Sequence, residues 1–295
     1  MTERKRIGFI GLGMMGAPMV QCLVNAGFEL FIDDADAERA QTLAAQTGAQ
    51  RLHKDTAASL DALITMLPNS AIVESVLLGG GGQGWASALA KEAVVIDMSS
   101  SEPERSRKLG AVLEERGLAY LDAPVSGGVK KAKDGTLAIL VGGRAEVLAR
   151  CEAILEAMGK SILHIGGAGA GHAAKALNNY VSAAALAATV EALHVAQRFG
   201  IEPAVMTDVL NASTGRSNTS ENKVRQFMLS GTYASGFALQ LMNKDLKIAR
   251  ALAQSVGYPM TLGAQCAAMW DEAAQRSTPA TDHTEMYRLL EGDAL

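Results

Sequence analysis

Basic charge is in short supply in this sequence. Lysine and arginine number 27 against 31 aspartates and glutamates, a net charge of −4 over 295 residues. A nucleic-acid binder would carry a basic footprint, so that class is excluded. Cysteine is scarcer. Cys22, Cys151 and Cys266 are far apart and odd in number, which excludes a disulfide framework and reads as reduced, buried thiols. Long apolar runs are also lacking. The most apolar stretch, from Val181, is interrupted by Glu191 and His194 and is too short and polar to span a bilayer. The basic start "MTERKRIGFIGLG" has only a short apolar part broken by glycines, so no targeting segment is expected. The histidines at 53, 164, 194 and 283 show no ligand spacing with one another or with the cysteines, and no metal is expected. What is there in quantity is core-forming residue: 48% hydrophobic against 20% charged. That suits one large or two ordinary domains of a soluble, cytoplasmic protein with no membrane or nucleic-acid partner.

The first half alternates short β-type runs with helical stretches. Strands are predicted at "RIGFIG" (6–11), "ELFID" (29–33), "ALITML" (62–67), "AVVIDMS" (93–99), "AYLDAPV" (119–125), "LAILVGG" (137–143) and "SILHIG" (161–166). They are apolar with little polar alternation, as strands covered on both faces are. Helix-length segments such as "PERSRKLGAVLEERG" lie between several of them. The pattern is that of a doubly wound, mostly parallel sheet. Past Gly171 the texture changes. "HAAKALNNYVSAAALAATVEALHVAQRFG" has no proline and no internal glycine before Gly200, and reads as one long helix. Further helices are expected at "EPAVMTDVLNAS", "LMNKDLKIARALAQSVG" and "PMTLGAQCAAMWDEAAQ", with no strand after 167. The chain is therefore divided into an α/β domain over 1–165 and an all-α C-terminal domain over 166–295, joined by the long helix.

The segment "KRIGFIGLGMMGAPM" holds G-x-G-x-x-G at Gly11, Gly13 and Gly16. It follows a predicted strand, opens a helix, and is followed by Asp33 at the end of the next strand. Strand, turn, helix and carboxylate together make the dinucleotide-binding fingerprint. Gly11 makes the tight turn, Gly13 admits the pyrophosphate to the backbone, and Gly16 permits close helix–strand packing. Leu12, Met14 and Met15 complete the loop, whose helix N-terminus faces the phosphates. Asp33 suits both ribose hydroxyls and repels a 2′-phosphate, and Asp34 adds a second negative charge. The first nearby base, Arg39, lies inside the following helix. NAD is favoured over NADP. One of the two aspartates also suits the cap of the helix that follows, and both readings hold together.

Four segments then carry a resemblance: "GFIGLGMMGAPM", "DAPVSGGVKKAKDGTLAILVGG" (122–143), "GAGAGHAAKALNNY" (167–180) and "LMNKDL" (241–246). In this order, and over essentially the whole chain, they resemble the signature segments of the β-hydroxyacid dehydrogenase family, which includes 3-hydroxyisobutyrate dehydrogenase and tartronate semialdehyde reductase. The resemblance implies a Rossmann domain followed by a helical domain. It implies hydride transfer between NAD and a small 3-hydroxy acid or its semialdehyde. Lys175 matches the catalytic lysine, and Asn179 lies one turn on along the same helix face. Ser126, Gly127 and Gly128 match the segment holding the substrate carboxylate. Leu67, Pro68, Asn69 and Ser100 match cofactor-contacting turns, although the family commonly has Thr where Ser100 stands. Lys244 matches a lysine near cofactor and substrate, and the region of Arg216 and Asn218 approaches the substrate's far end. Family members assemble through the helical domain, so a homodimer or homotetramer is expected.

The chemistry suits these residue types. Oxidising an alcohol needs a base within hydrogen-bond reach, and a lysine serves when burial and nearby positive charge lower its pKa. His172, three positions earlier, is either a bystander or a neighbour that tunes Lys175. Lys130, Lys131 and Lys133 form either a solvated loop or added positive charge favouring a more anionic substrate. Imine and ketone reductases share the opening motif but usually lack the lysine. A non-catalytic dinucleotide sensor would have lost it. Which hydroxy acid is used, and in which direction, is not encoded in these motifs.

Overall fold

The computed structural model describes residues 5–291. One sheet holds β1 (Arg6–Ile10), β2 (Glu29–Asp33), β3 (Gln50–Arg51), β4 (Ala62–Thr65) and β5 (Val94–Asp97). It continues with β6 (Ala119–Asp122), β7 (Val125–Ser126), β8 (Leu137–Gly143) and β9 (Gly159–Gly166). The strand order is β3-β2-β1-β4-β5-β6-β8-β7, with β9 beside β8. From β3 to β6 all neighbours are parallel, and this order is that of a dinucleotide-binding sheet. β8 then runs antiparallel to β6 and β7 and parallel to β9.

The strands are apolar throughout because both faces are covered. Ile7, Phe9, Ile32, Ile64 and Ile96 share one buried layer, while their chain neighbours Phe31, Leu63 and Val95 share the layer on the opposite face. Alternation along each strand sends successive side chains to opposite sides, and neither side is water.

Three details differ from the sequence expectation. β3 has only the polar pair Gln50–Arg51, with no apolar run to reveal it. It exists through parallel pairing with Phe31 and Ile32 of β2. "AYLDAPV" is two strands, since β6 stops at Asp122 and β7 resumes at Val125. Pro124 between them has no N–H for a ladder. "VKKAK" is a short helix, Gly128–Lys133, rather than a loop. Ala132 is buried and the three lysines are exposed.

The chain forms two compact units, one up to Lys175 and one from Ala176. The division falls inside the helix Ala170–Phe199. The second unit adds helices Pro203–Ala212, Leu239–Ser255 and Thr261–Gln275. Leu186, Val190 and Leu193 pack there with Leu246 and Trp270. Extended structure among its described residues is an isolated bridge between Ala238 and Asp282. No described helix is long and apolar enough to cross a membrane. Burial pushes the Cys151 and Cys266 thiols up to about 11.

Asp282 knots the second unit's C-terminal segment to its middle. Its carboxylate accepts Ser235 Oγ at 2.8 Å, the Gly236 N–H at 2.9 Å and the Thr284 N–H at 2.9 Å. Burial alone would raise its pKa, but hydrogen bonds from His283, Thr284 and Ser235 hold it well below the usual carboxylate range. The folded pKa is therefore depressed relative to an unfolded value near 3.9. Its stabilisation is complete above about pH 4 and is lost as pH falls through the folded value. Asp282→Asn should lose roughly 2 kcal/mol at pH 7. The gap to wild type in urea unfolding should narrow steadily below about pH 4, and a gap that stays constant towards pH 3 would contradict this.

Candidate active site

In a parallel sheet the carboxyl ends of the strands share one edge, and the turns leaving β1, β4, β5 and β6 build the candidate site there. The turn after β1 is shaped by three glycines. Gly11 has a φ of +101°, and a Cβ there would lie 2.3 Å from the Met66 carbonyl oxygen. Gly16 opens the helix Gly16–Asn25, where a Cβ would lie 1.8 Å from the Gly11 carbonyl oxygen. A Cβ on Gly13 meets nothing within 4 Å. Met14 is 73% exposed, and Met15 at the N-cap has no side-chain oxygen for the first-turn amides. An open face over Gly13 beside an uncapped helix start fits the pyrophosphate of a dinucleotide. Leu12 is held from below, its N–H donating to Asp34 Oδ2 at 2.6 Å.

The acidic pair after β2 behaves differently from expectation. Asp33 receives Arg51 Nη2 at 3.0 Å, so the nearest base to it is Arg51 rather than Arg39. Arg39 pairs with Asp34 and Asp36, each at 3.2 Å. Asp36 caps the following helix by accepting the Arg39 N–H at 3.0 Å. Asp34 is committed to the glycine turn instead.

The next two turns are tied together. The Leu67 N–H donates to Ser99 Oγ at 2.8 Å. Beyond Pro68, Asn69 Oδ1 caps the helix Ser70–Leu78 by accepting the Ile72 N–H at 3.0 Å. At the end of β5, fully buried Asp97 accepts Thr65 Oγ1 at 3.0 Å, the Ser99 N–H at 3.1 Å and Ser101 Oγ at 2.9 Å. Ser100 is half-buried between them.

Asp122, at the end of β6, caps the long helix. It accepts the Gly169 N–H at 2.7 Å and the His172 N–H at 2.9 Å. A carboxylate is favoured there by the free amides and by the positive end of the helix dipole. Glycines make the room, since a Cβ on Gly142 would lie 2.4 Å from Asp122 Oδ1 and one on Gly171 2.2 Å from the Leu140 oxygen. His172 is 2% exposed, with Nε2 3.1 Å from the Ser99 carbonyl and Nδ1 2.8 Å from Ser106 Oγ. A carbonyl only accepts, so Nε2 bears a proton and His172 latches the helix to the β5 turn. One turn on, Lys175 Nζ donates to the Val125 carbonyl at 2.8 Å. That carbonyl leads into Ser126, Gly127 and Gly128. The two glycines have φ of +134° and +68°, backbone that side-chain-bearing residues avoid.

In the second unit Asn179 is buried, its Nδ2 donating to Asp245 Oδ2 at 2.6 Å and its Oδ1 accepting from Asn178 at 3.2 Å. Lys244 Nζ lies 3.9 Å from the other Asp245 oxygen, so Asn179 and Lys244 address the same carboxylate. Arg216 is exposed and forms a local ion pair with Glu221 at 3.6 Å. No group of three or more His, Cys, Asp or Glu among the described residues could hold a metal ion.

Sequence reasoning assigned no role to Arg51, Asp97, Asp122 or Asp245. A signal for two of them was present: "FID", "VID" and "YLD" each end an apolar run with aspartate, and all three carboxylates stand at the site edge of the sheet.

Comparison with known proteins finds relatives over nearly the whole chain. A family model described as the NAD binding domain of 6-phosphogluconate dehydrogenase matches residues 6–166. One described as NAD-binding of NADP-dependent 3-hydroxyisobutyrate dehydrogenase matches 169–290. The chain is 38% identical to 2-(hydroxymethyl)glutarate dehydrogenase of Eubacterium barkeri, over 92% of this chain and 90% of that one. It is 37% identical to 3-hydroxyisobutyrate dehydrogenase of Pseudomonas aeruginosa, over 97% and 98%. Mycobacterium tuberculosis 3-hydroxyisobutyrate dehydrogenase, solved with L-serine, superposes with a TM-score of 0.90 at 32% identity, covering 98% of this chain and all of that one.

Removing the Asp122 carboxylate strands two buried amides. Asp122→Ala should destabilise the protein by about 3 kcal/mol in urea unfolding, and Asp122→Asn by less, since its carbonyl oxygen still accepts one of the bonds. Equal losses in the two variants would contradict the capping role.

Proposed function

The chain belongs to the β-hydroxyacid dehydrogenase family, and from that premise we propose that it oxidises a small 3-hydroxy acid, or reduces the matching semialdehyde, with Lys175 as general acid/base. It is an NAD(H)-using oxidoreductase. The observation that carries the lysine assignment is its bond to the Val125 carbonyl at 2.8 Å, which holds the amine beside the Ser126–Gly127–Gly128 turn.

The cofactor would be held by Gly11–Gly16 at its pyrophosphate, by Asp33 at the adenosine ribose, and by Leu67–Asn69 and Ser100 along its length. Bound NAD supplies the hydride acceptor. The protein's own part is to place the substrate and move a proton. Backbone N–H groups of Gly127 and Gly128, with the Ser126 hydroxyl, take the substrate carboxylate, since the absence of side chains on the two glycines permits close approach. Lys175 Nζ accepts the hydroxyl proton in oxidation and returns it in reduction. Asn179, with one N–H given to Asp245 and its oxygen to Asn178, keeps a second N–H to orient the hydroxyl.

The relatives' substrates narrow the class. 3-Hydroxyisobutyrate, 2-(hydroxymethyl)glutarate and L-serine, for which three dehydrogenases similar to this chain are named, all have the form HOCH2–CHR–COO⁻. We assign the same class here. The expected outcome is NAD-linked turnover of one such acid in a panel of these three with 3-hydroxypropionate and glycerate. Lys175→Ala should lower kcat/KM by about a thousandfold while NADH binding, read by fluorescence, persists. Turnover that survives in Lys175→Ala would remove the lysine from its role, and bound NADH without turnover of any acid would favour a sensor.

We also propose a homodimer or homotetramer formed through the helical unit. Val181, Val195 and Phe199 on the long helix are 64%, 68% and 83% exposed, and Val205 and Leu262 are exposed as well. At 3.6 residues per turn Val181, Val195 and Phe199 fall on one face of that helix, an apolar stripe of the kind that packs against another chain. Light scattering at micromolar concentration should give two or four chains, and the mass of one chain would overturn this.

A further inference from the structure

The edge of the sheet that receives the adenosine ribose does not present a lone carboxylate. We propose that Arg51 sets the cofactor choice there, relieving the discrimination against a 2′-phosphate so that the site takes NADP as well as NAD. The inference rests on the dinucleotide site described above and concerns its selectivity.

The position of Arg51 is built in by backbone pairing. β3 lies parallel to β2 with Ile32 opposite Arg51, which sets the guanidinium beside Asp33, the last residue of β2. Nη2 donates to Asp33 Oδ1 at 3.0 Å, and Nη1 donates to the Ala37 carbonyl at 3.0 Å. The Nε–H has no hydrogen-bond partner among the described residues. The pair is not sealed away, since 31% of the Arg51 side chain and 26% of the Asp33 side chain face solvent.

The charges at this edge decide the argument. Asp33 alone would repel a 2′-phosphate, which carries nearly two negative charges. With Arg51 attached, the pair is neutral overall. Asp34 does not restore the repulsion in full, because its carboxylate is occupied by the Leu12 N–H and by Arg39 at 3.2 Å. Arg39 in turn is shared with Asp36 and stays with that cluster. Among the described residues Arg51 is therefore the one cation paired directly with Asp33. Its planar fork of donors suits phosphate oxygens. The ribose diol of NAD is accepted by Asp33, and the 2′-phosphate of NADP by Arg51.

The test uses the halves of the two cofactors that differ. ADP and 2′,5′-ADP are titrated calorimetrically into the wild type, Arg51→Gln, Arg51→Lys and Asp33→Asn. The wild type should bind both ligands, with dissociation constants within about tenfold of each other. Arg51→Gln should weaken 2′,5′-ADP relative to ADP by about tenfold or more. Arg51→Lys, which keeps the charge but not the fork, should fall between. Asp33→Asn should shift the ratio the other way. The ratio of kcat/KM for NADP over NAD should follow the same order. Persistent ADP binding in Arg51→Gln shows that this variant has folded. The inference is overturned if the wild type binds ADP but not 2′,5′-ADP, or if Arg51→Gln leaves the ratio where it was. A wild type that binds neither ligand would remove the dinucleotide site itself.

Discussion

One buried carboxylate holds the candidate site in register with the sheet. Asp122 ends β6 and accepts the two amides that open the long helix. The contact is possible only because Gly142 and Gly171 contribute no side chains to the same space. Its distances fix where the first turn of the helix begins, and hence where Lys175, on the following turn, can reach. His172 adds a second tie through the Ser99 carbonyl and Ser106. A shift of the helix by one residue would break both ties at once.

The same device recurs with different duties at neighbouring strand ends. Asp33 meets a guanidinium. Asp97 points inward and gathers Thr65, Ser99 and Ser101, shaping the turn that includes Ser100. Asp122 closes a helix. A parallel sheet places these residues on one edge because each strand ends at the same level, so a short acidic residue after an apolar run becomes an organiser of the turn beyond it. The glycines then decide how near the chain, or a ligand, can come.

Much of this was legible in the residues. The apolar strands, the glycine turn and the long helix all follow from local rules of burial and backbone freedom, and each rule acts over a few neighbouring positions. Lys175, Asn179 and the Ser126–Gly128 turn were recognised only because their flanking segments resemble a family. What escaped was pairing between distant positions. Arg51 lies 18 residues from Asp33 on a strand with no apolar pattern, and only the β2–β3 register brings them together. Asp245 was visible in "NKDL", but its partner Asn179 stands on another helix. His172 reads as a bystander or a neighbour that tunes Lys175, whereas its ring bonds go to the turn after β5 and to Ser106. The lysines at 130, 131 and 133 read as a loop because one buried residue, Ala132, is too little periodicity to announce a helix.

The cap on the long helix also bears on motion. The first turn of a helix ordinarily frays, because its amides have only water to bond. Here the opening amides are bonded to a side chain that itself belongs to the central sheet. The turn that leads to Lys175 therefore opens only at the cost of the two bonds to Asp122. Its amide hydrogens should then exchange with solvent at the slow rate of the sheet rather than the fast rate of a helix end. A residue proposed to shuttle protons thus stands on a helix start that is tied to the sheet.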